Sequence, residues 1–461
     1  MTAAYELAKA QTEVEVFEAA GAVGGLARSI ELWGQMVDLG PHRFFSDDHR
    51  VNRLWLEVVG REYHMVERLT RIYYKKRFYY YPLRPTNALW NMGCGTAARC
   101  VASYLKEKAT SSCRTDDGAS FESWVVGRFG RRLFEMFFKS YSEKLWGVPC
   151  CQLDADFAAQ RIKKFSLGEA MKSALGFGNG HHKTLVDRFA YPMRGSGMVY
   201  DRMARFVQSV GGQVHLGQPV RRVLHANRHV CGVELEDGRR RRFDHVISTM
   251  PLPSMVRGLG NLPADVESAV DALTFRNTIL VYLLVDGIDL FPDQWLYVHS
   301  PELLAGRVTN FRNWVPELYG RARSSILALE YWCYNQDGIW SEPDAELINR
   351  AVREIGITGL LRDTPVLDGH VIRIERSYPV YRRGYKDHLA RIIPFLNTFR
   401  GLTAIGRYGA FKYNNQDHSI LMGLLAAGNI LCNRKQALWK VNTDYDNYQE
   451  AAPIIERRRA A

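Results

Sequence analysis

A short strand-like stretch near the amino terminus ends on an acid and runs into a turn with two adjacent glycines. Residues 13–17 alternate polar and apolar side chains, Glu18 follows, and Gly24 and Gly25 lie in the turn. In a βαβ unit that binds a dinucleotide, an acid stands about twenty residues after the glycine-rich phosphate loop and contacts the ribose. The stretch therefore has the features of the second half of such a unit.

The first half of that unit is absent from the sequence. Residues 2–10 are strong helix formers with helical spacing of apolar side chains, so the chain starts inside the helix that should follow the phosphate loop. A search for GxGxxG elsewhere fails, because the glycine-rich stretches 176–180 and 195–197 lack the third glycine in register. A helix, a strand and an acid alone also fit an ordinary αβ pair.

Composition narrows the class of protein. A chain of 461 residues corresponds to about three domains. No apolar run is long enough to span a membrane and no secretory leader is visible, which predicts a cytoplasmic protein. Eight cysteines without CxxC or Cys/His ligand spacing argue against a disulfide scaffold and a zinc site.

The net charge of +12 requires an anionic partner or a solvated surface. The basic residues are dispersed, apart from runs at 239–242 and 457–459, so nucleic acid is the weaker candidate. A phosphate-rich small molecule or an anionic membrane surface explains a diffuse positive field equally well.

The remaining pattern predicts alternating helices and strands. We expect an aromatic-rich helix over 119–144 and an amphipathic helix over 198–210 after a glycine turn. A strand, a glycine turn with Arg407 and a capped helix should occupy 401–431, which makes a natural anion site. Strands are predicted at 213–216, 220–226, 230–236, 244–251, 278–285 and 325–332, and a further helix at 344–355.

In this order, the fragments resemble the FAD-binding fold of the amine oxidase and protoporphyrinogen oxidase superfamily, and within it the UDP-galactopyranose mutases. The resemblance is carried by "GPHRFFSDDHRVNRLW" (40–55), "YYKKRFYYYPLRPTN" (73–87), "SFESWVVGRFGRRLFEMFFKSYSEKLWG" (120–147), "SYPVYRRGY" (377–385) and "GRYGAFKYNNQDHSI" (406–420). It implies an α/β fold with a three-layer, Rossmann-like domain for FAD or NAD(P), a helical insertion and a mixed-sheet substrate domain. The implied boundaries are 1–75, 190–255 and 366–461 for the FAD domain, 76–189 for the insertion and 256–365 for the substrate side.

The resemblance also implies which residues hold FAD. Glu18 would contact the adenosine ribose, Arg28 the diphosphate or the reduced flavin, and His42 the flavin face. Glycines at the turns would let the backbone approach the cofactor where a Cβ would collide. The full set of expected cofactor contacts is Glu18, Gly24, Gly25, Leu26, Arg28, His42, Val220, Gly406, Arg407, Asp417, His418 and Ser419.

For the substrate, the resemblance points to aromatic and cationic side chains lining a cleft for a nucleotide-sugar. The expected catalytic set is Tyr141, Trp146, Arg161, Lys164, Tyr378 and Tyr413. Two positions depart from the family. Lys163 and Lys164 stand where an arginine is expected, and a lysine lacks the bidentate fork; Asn415 replaces an acid. Both departures put UDP-galactose itself in doubt.

The resemblance implies chemistry that needs no protein nucleophile, because the cofactor supplies the bond-making. We expect a flavin-dependent isomerase (mutase) of nucleotide-sugar, cell-wall or polysaccharide biosynthesis. NAD(P)H as an external reductant and a homodimer are both compatible with the resemblance, and the sequence leaves the electron donor and the oligomeric state open. One alternative is an FAD-dependent oxidoreductase of the amine oxidase, protoporphyrinogen oxidase or desaturase type. Another is a truncated chain with impaired FAD binding and no activity; a misassigned start codon accounts better for the coherent downstream sequence.

Overall fold

The structure is a computed structural model that describes residues 1–110, 120–156 and 188–442. Eighteen strands lie in these ranges. In chain order, β1 to β18 are Glu15–Phe17, Ser29–Leu32, Gln35–Asp38, Tyr63–Glu67, Thr70–Tyr74, Arg77–Tyr80, Arg188–Pro192, Gln213–His215, Val220–Ala226, His229–Leu235, Arg240–Arg242, Val246–Ser248, Phe275–Val285, Trp295–Val298, Arg307–Asn310, Ser325–Cys333, Val366–Pro379 and Leu402–Ala404.

Helices cover the strands or form a separate helical block in the described ranges. In chain order, α1 to α14 are Thr2–Lys9, His49–Val59, Pro85–Met92, Cys94–Thr110, Phe121–Phe129, Arg131–Leu133, Ser140–Trp146, Gly197–Ser209, Leu252–Arg257, Ala264–Asp271, Asp344–Thr358, Tyr385–Asn397, Gly406–Gly409 and Gln416–Leu431. A π-helical turn, Phe134–Lys139, joins α6 to α7. None of the helices in the described ranges is long and apolar enough to cross a membrane.

Two short parallel strand pairs form the Rossmann-like part of the molecule. β1 pairs with β8, and β12 pairs with β18. Helix α1 packs on α14, where a Cβ at Gly423 would stand 2.7 Å from Cβ of Thr2. Apolar side chains of α1, β1, β8, β12 and α14 share one cluster, so α1 covers both strand pairs.

The largest sheet has seven strands in the order β17-β13-β16-β15-β14-β5-β6. The β14–β5 contact is parallel and the others are antiparallel. Every residue of β16 is buried, as expected for a strand covered on both faces. The sheet draws β5, β6 and β17 from outside residues 256–365, and the proposed division into three domains stays a prediction.

The structure confirms the predicted mixed α/β fold class, and most predicted elements lie within a few residues of the observed ones. The strand predicted at 220–226 is β9, Val220–Ala226, and the strand predicted at 325–332 is β16. Two predictions were wrong in extent. The helix over 119–144 is interrupted at Gly130, whose φ is +83°, and the strand over 244–251 shrinks to β12 because Pro251 precedes α9.

Candidate functional site

Four aromatic residues predicted for the substrate meet at one place in the fold. The rings of Tyr378 on β17 and Tyr413 stack with centroids 5.6 Å apart and an interplanar angle of 19°. Trp146, at the end of α7, meets both rings edge-on at 6.1 and 5.7 Å. Tyr141, one turn earlier on α7, stacks on His299 at 4.7 Å. We call Tyr141, Trp146, Tyr378 and Tyr413 the aromatic box.

The backbone around the box holds its walls in place. Trp146 is fully buried, and its carbonyl accepts a hydrogen bond from the Tyr334 hydroxyl at 2.8 Å. The buried Arg276 guanidinium donates to the carbonyls of Lys144 and Leu145. The backbone N–H of Tyr413 donates to the Tyr381 hydroxyl at 2.8 Å. Trp146 therefore supports the tyrosine pair from behind rather than forming an open surface.

Arg407 lies over the faces of the stacked tyrosines. Its guanidinium carbon is 4.7 Å from the Tyr378 ring centroid and 4.5 Å from that of Tyr413. Nε donates to the Ser377 carbonyl and Nη1 to the Asn414 carbonyl, each at 3.0 Å. Within the described residues no carboxylate pairs with this guanidinium, so its charge is balanced only by carbonyl dipoles and ring faces.

A second arginine reaches the box, and sequence reasoning missed it. Arg307 on β15 donates from Nε and Nη2 to the two carboxylate oxygens of Glu330 at 2.6 and 2.5 Å, and from Nη2 to the Tyr378 hydroxyl at 3.3 Å. Arg307 and Glu330 face each other directly in the β15–β16 register. A lone acid inside the otherwise apolar strand 325–333 is the signal that could have found this pair.

Charges and burial shift the titration of the groups around the box. Burial, together with the nearby charges of Arg307 and Arg407, lowers the pKa of His42 to about 3, so this imidazole is neutral. Burial raises the pKa of Tyr378 to about 12 although Arg307 opposes the shift, and burial also raises the pKa of Tyr141. Burial acts to lower the pKa of Arg307, but Glu330 reverses this effect and the guanidinium stays charged.

The turn that contains His42 is anchored by a buried acid. Asp38 accepts hydrogen bonds from the Ser29 hydroxyl at 2.5 Å, the Tyr191 hydroxyl at 2.9 Å and the Ser196 backbone N–H at 3.1 Å. The Ser196 hydroxyl in turn donates to the His42 carbonyl at 2.7 Å. Burial raises the pKa of Asp38 to about 6, although these hydrogen bonds act to lower it.

The predicted cofactor residues lie on turns that are linked through Tyr200. A Cβ on Gly24, at φ +102°, would stand 3.3 Å from the Tyr200 ring. The Tyr200 hydroxyl donates to Gln416 at the start of α14, and the Gln416 amide lies 3.4 Å from the His42 carbonyl oxygen. The turn at Gly24, the turn at His42 and the amino end of α14 are therefore neighbours.

The other predicted cofactor residues lie at separate places in the fold. The Glu18 carbonyl accepts from the Gln218 N–H at 2.9 Å, which brings Glu18 close to Val220 at the start of β9. His418 is used inside its own helix, since its Nδ1 accepts from the Asn415 N–H at 3.2 Å and lies 3.2 Å from an Asp417 oxygen. Leu26, Arg28 and Ser419 are half-buried.

Two residues of the expected catalytic set, Arg161 and Lys164, lie outside the described residues, as does Lys163.

Comparison with known proteins identifies the family. The model of the flavin containing amine oxidoreductases matches residues 1–365. The chain belongs to this family.

Solved structures of related fold agree with this family assignment. Reduced UDP-galactopyranose mutase has 20% identity and a TM-score of 0.84, over 98% of this chain and 96% of that chain. A protein assigned as a protoporphyrinogen oxidase from Exiguobacterium sp. 255-15 has 15% identity and a TM-score of 0.72, over 94% and 96%. Putrescine oxidase bound to putrescine has 16% identity and a TM-score of 0.63, over 94% and 96%. At these identities the likeness shows the fold.

The family implies a flavin cofactor, and the residues at the turns suit one. Gly24, Gly40 and Gly406 have φ of +102°, +107° and +83°, a backbone conformation that favours glycine, so these turns carry no side chain at those positions. Nδ1 of His42 is buried and has no hydrogen-bond partner among the described residues, and Arg28 lies close enough to Tyr408 of α13 to influence its pKa. As a member of the flavin containing amine oxidoreductases, the chain is expected to be an enzyme.

Proposed function

We propose that this protein is an FAD-dependent enzyme of the UDP-galactopyranose mutase type that acts on a nucleotide-sugar or a similar anionic glycan precursor. The observation that supports the proposal is the positive charge of Arg407 beside the aromatic box. Arg407 lies against Tyr378 and Tyr413 without a carboxylate partner among the described residues.

The charge balance around the box favours an anionic substrate. Glu330 neutralises Arg307, His42 is uncharged, and the buried tyrosines retain their protons. Among the described residues that contact the tyrosine rings of the box, Arg407 is a cation without a carboxylate partner. A protonated amine would meet a like charge in a poorly hydrated site, whereas a diphosphate would gain a charge-assisted hydrogen bond. This argues for a nucleotide-sugar over an amine substrate.

The chain's own groups would bind and orient the reactants. Reduced FAD, when bound, supplies the bond-making chemistry at the sugar. Arg407, which the sequence analysis assigned to the cofactor contacts, would in this proposal hold a phosphate oxygen of the substrate. The stacked tyrosines Tyr378 and Tyr413 would offer ring faces and hydroxyls to the sugar. Glu18 would bind the adenosine ribose of FAD and Arg28 its diphosphate. The fully buried Trp146 excludes water from one side of the box.

Binding of UDP tests the proposal independently of turnover. Tryptophans 146 and 332 adjoin the box, so UDP should quench intrinsic fluorescence. We expect Arg407→Gln to weaken UDP binding at least about tenfold, the loss of one charge-assisted hydrogen bond. Arg221→Gln, which changes an exposed arginine, is the matched control. Equal UDP affinity of Arg407→Gln and wild type would contradict the proposed role of the box.

Product analysis separates the mutase from the oxidase. The dithionite-reduced protein, supplied with FAD, is incubated with UDP-galactopyranose, and the products are separated by ring size. The proposal expects a change of ring size without net oxidation. Oxygen consumption with an amine substrate, and no change of sugar ring size, would assign the oxidase reaction instead.

A further inference from the structure

Helix α3 carries a tryptophan whose side chain is almost fully exposed to solvent. Trp90 is 87% exposed, and the neighbouring Leu89 is 49% exposed. The adjacent Leu89 and Trp90 form an exposed apolar patch, and such patches mark interaction sites more often than single exposed side chains do.

The orientation of α3 is set by polar anchors on its opposite face. The Asn87 side-chain oxygen accepts from the Tyr80 N–H, and the Asn91 side-chain amide donates to the Phe78 carbonyl, each at 3.0 Å. Ala88 of the same helix is buried. Because residues 87, 88 and 91 face the molecule, Trp90 cannot rotate into the core without breaking these bonds.

Basic residues are concentrated in the part of the chain that contains helix α3. Residues 71–110 contain eight lysines and arginines and one acid, Glu107. Lys75, Lys76 and Arg77 are exposed at the β5–β6 turn, and the Arg77 guanidinium donates to the Asn91 carbonyl, which places this turn beside α3. We call Lys75, Lys76, Arg77, Leu89 and Trp90 the Trp90 surface.

We propose that the Trp90 surface docks on an anionic lipid bilayer. Indole rings favour the headgroup region of a bilayer, where their apolar body and polar N–H are both satisfied. Lysines and arginines around the ring are attracted to anionic headgroups, and their apolar stems lie along the same surface. This combination is typical of proteins that lie on a membrane without crossing it.

Other occupants fit the surface less well. A second copy of the chain would bring two basic surfaces together, and the chain carries a net charge of +12. Nucleic acid would match the charge and could stack on Trp90, but the aliphatic Leu89 beside it offers no ring face on which a base could stack. An acyl-chain boundary accepts both apolar side chains.

Co-sedimentation of the full chain with vesicles tests the proposal. We expect binding to phosphatidylcholine vesicles that contain roughly one third phosphatidylglycerol, and little binding to pure phosphatidylcholine. Binding should weaken in about 0.5 M NaCl, because the Debye length then falls below the charge separations. Trp90→Ser and the double variant Lys75→Glu/Lys76→Glu should each bind anionic vesicles at least tenfold more weakly.

Matched controls keep the test specific to this surface. Leu367→Ser removes an apolar side chain that is 55% exposed elsewhere, and Arg239→Glu reverses an exposed charge on the Asp237–Arg239 turn; both should bind as wild type. The changed side chains are exposed, and unchanged thermal melting would show that the variants fold. Failure to bind anionic vesicles at low salt, equal binding by variants and controls, or binding to duplex DNA alone would each overturn the proposal.

Discussion

The two arginines beside the aromatic box differ in the groups that they contact. Arg307 is held by a buried carboxylate and a tyrosine hydroxyl, whereas Arg407 is held by two carbonyls and two ring faces. The same residue type therefore has two roles. Arg307 is a fixed structural cation whose charge is already balanced, and Arg407 can still attract an anion.

Asp38 should give the folded protein a pH dependence between about pH 4 and 6. Burial raises its pKa from 3.8 to about 6, so the folded state keeps a proton that the unfolded chain releases. The contribution of Asp38 to the free energy of unfolding is therefore fully present below pH 3.8 and is lost as the pH rises through 6, by about 3 kcal/mol in total.

The variant Asp38→Asn removes this titration. Urea unfolding gives the free energy of unfolding of wild type and of the variant at each pH. The difference, wild type minus variant, should be about 2–3 kcal/mol smaller at pH 7 than at pH 4. Asp289→Asn, at an exposed aspartate, controls for the loss of one carboxylate. Parallel pH profiles for wild type and Asp38→Asn would show that Asp38 does not titrate in this range.

Among the elements, the break between α5 and α6 decides where the aromatic box forms. Helix α5 starts at a capping box formed by Ser120 and Ser123, and it ends at Gly130. The chain then continues through the π-helical turn into α7, which carries Tyr141 and Trp146. The direction of α7, and with it the position of Tyr141 and Trp146, is therefore set after this break.

Gly130→Ala should be strongly destabilising. A Cβ at this position would lie 2.8 Å from the Tyr104 backbone on α4, and the φ of +83° is unfavourable for alanine. We expect a loss of about 2–3 kcal/mol, read from the midpoint of urea unfolding.

The neighbouring Gly127 provides a close control. It lies within α5, is exposed, and has no heavy atom within 4 Å of an added Cβ. Gly127→Ala should therefore leave stability unchanged or raise it by up to about 1 kcal/mol. Similar effects of the two substitutions would mean that the break at Gly130 is not required for packing.

Across the whole molecule, the seven-stranded sheet joins parts of the chain that are distant in sequence. β17 pairs with β13 over nearly its full length, and β5 pairs in parallel with β14. Arg71 on β5 also donates to both oxygens of the buried Asp293. These connections couple the β5–β6 hairpin to the centre of the sheet.

Arg71→Ala should destabilise the whole protein rather than release the hairpin alone. Asp293 is fully buried, and an unpaired buried carboxylate costs about 3 kcal/mol. We expect far-UV circular dichroism and tryptophan fluorescence to report one coincident, shifted transition in urea. Arg221→Ala, at an exposed arginine, should leave the transition unchanged, and an early separate transition in Arg71→Ala would indicate independent unfolding of the hairpin.

Local sequence patterns determined the helices, the strands and much of the predicted site. Apolar periodicity is a property of neighbouring residues, so β9 and β16 were predictable within one residue. Glycines at turns were also predictable, because a positive φ favours that residue type wherever it occurs. The family resemblance, which short motifs carry, predicted the four residues of the aromatic box.

Only the tertiary structure decided which charges face which. Arg307 and Glu330 meet because β15 and β16 pair in one register, and a shift by one residue would move their side chains to opposite faces. The stacking of Tyr141 on His299, and of Arg407 on two tyrosines, likewise depends on strands and helices far apart in the chain. Such contacts leave no periodic trace in the sequence, since they arise from packing between elements rather than from neighbours along the chain.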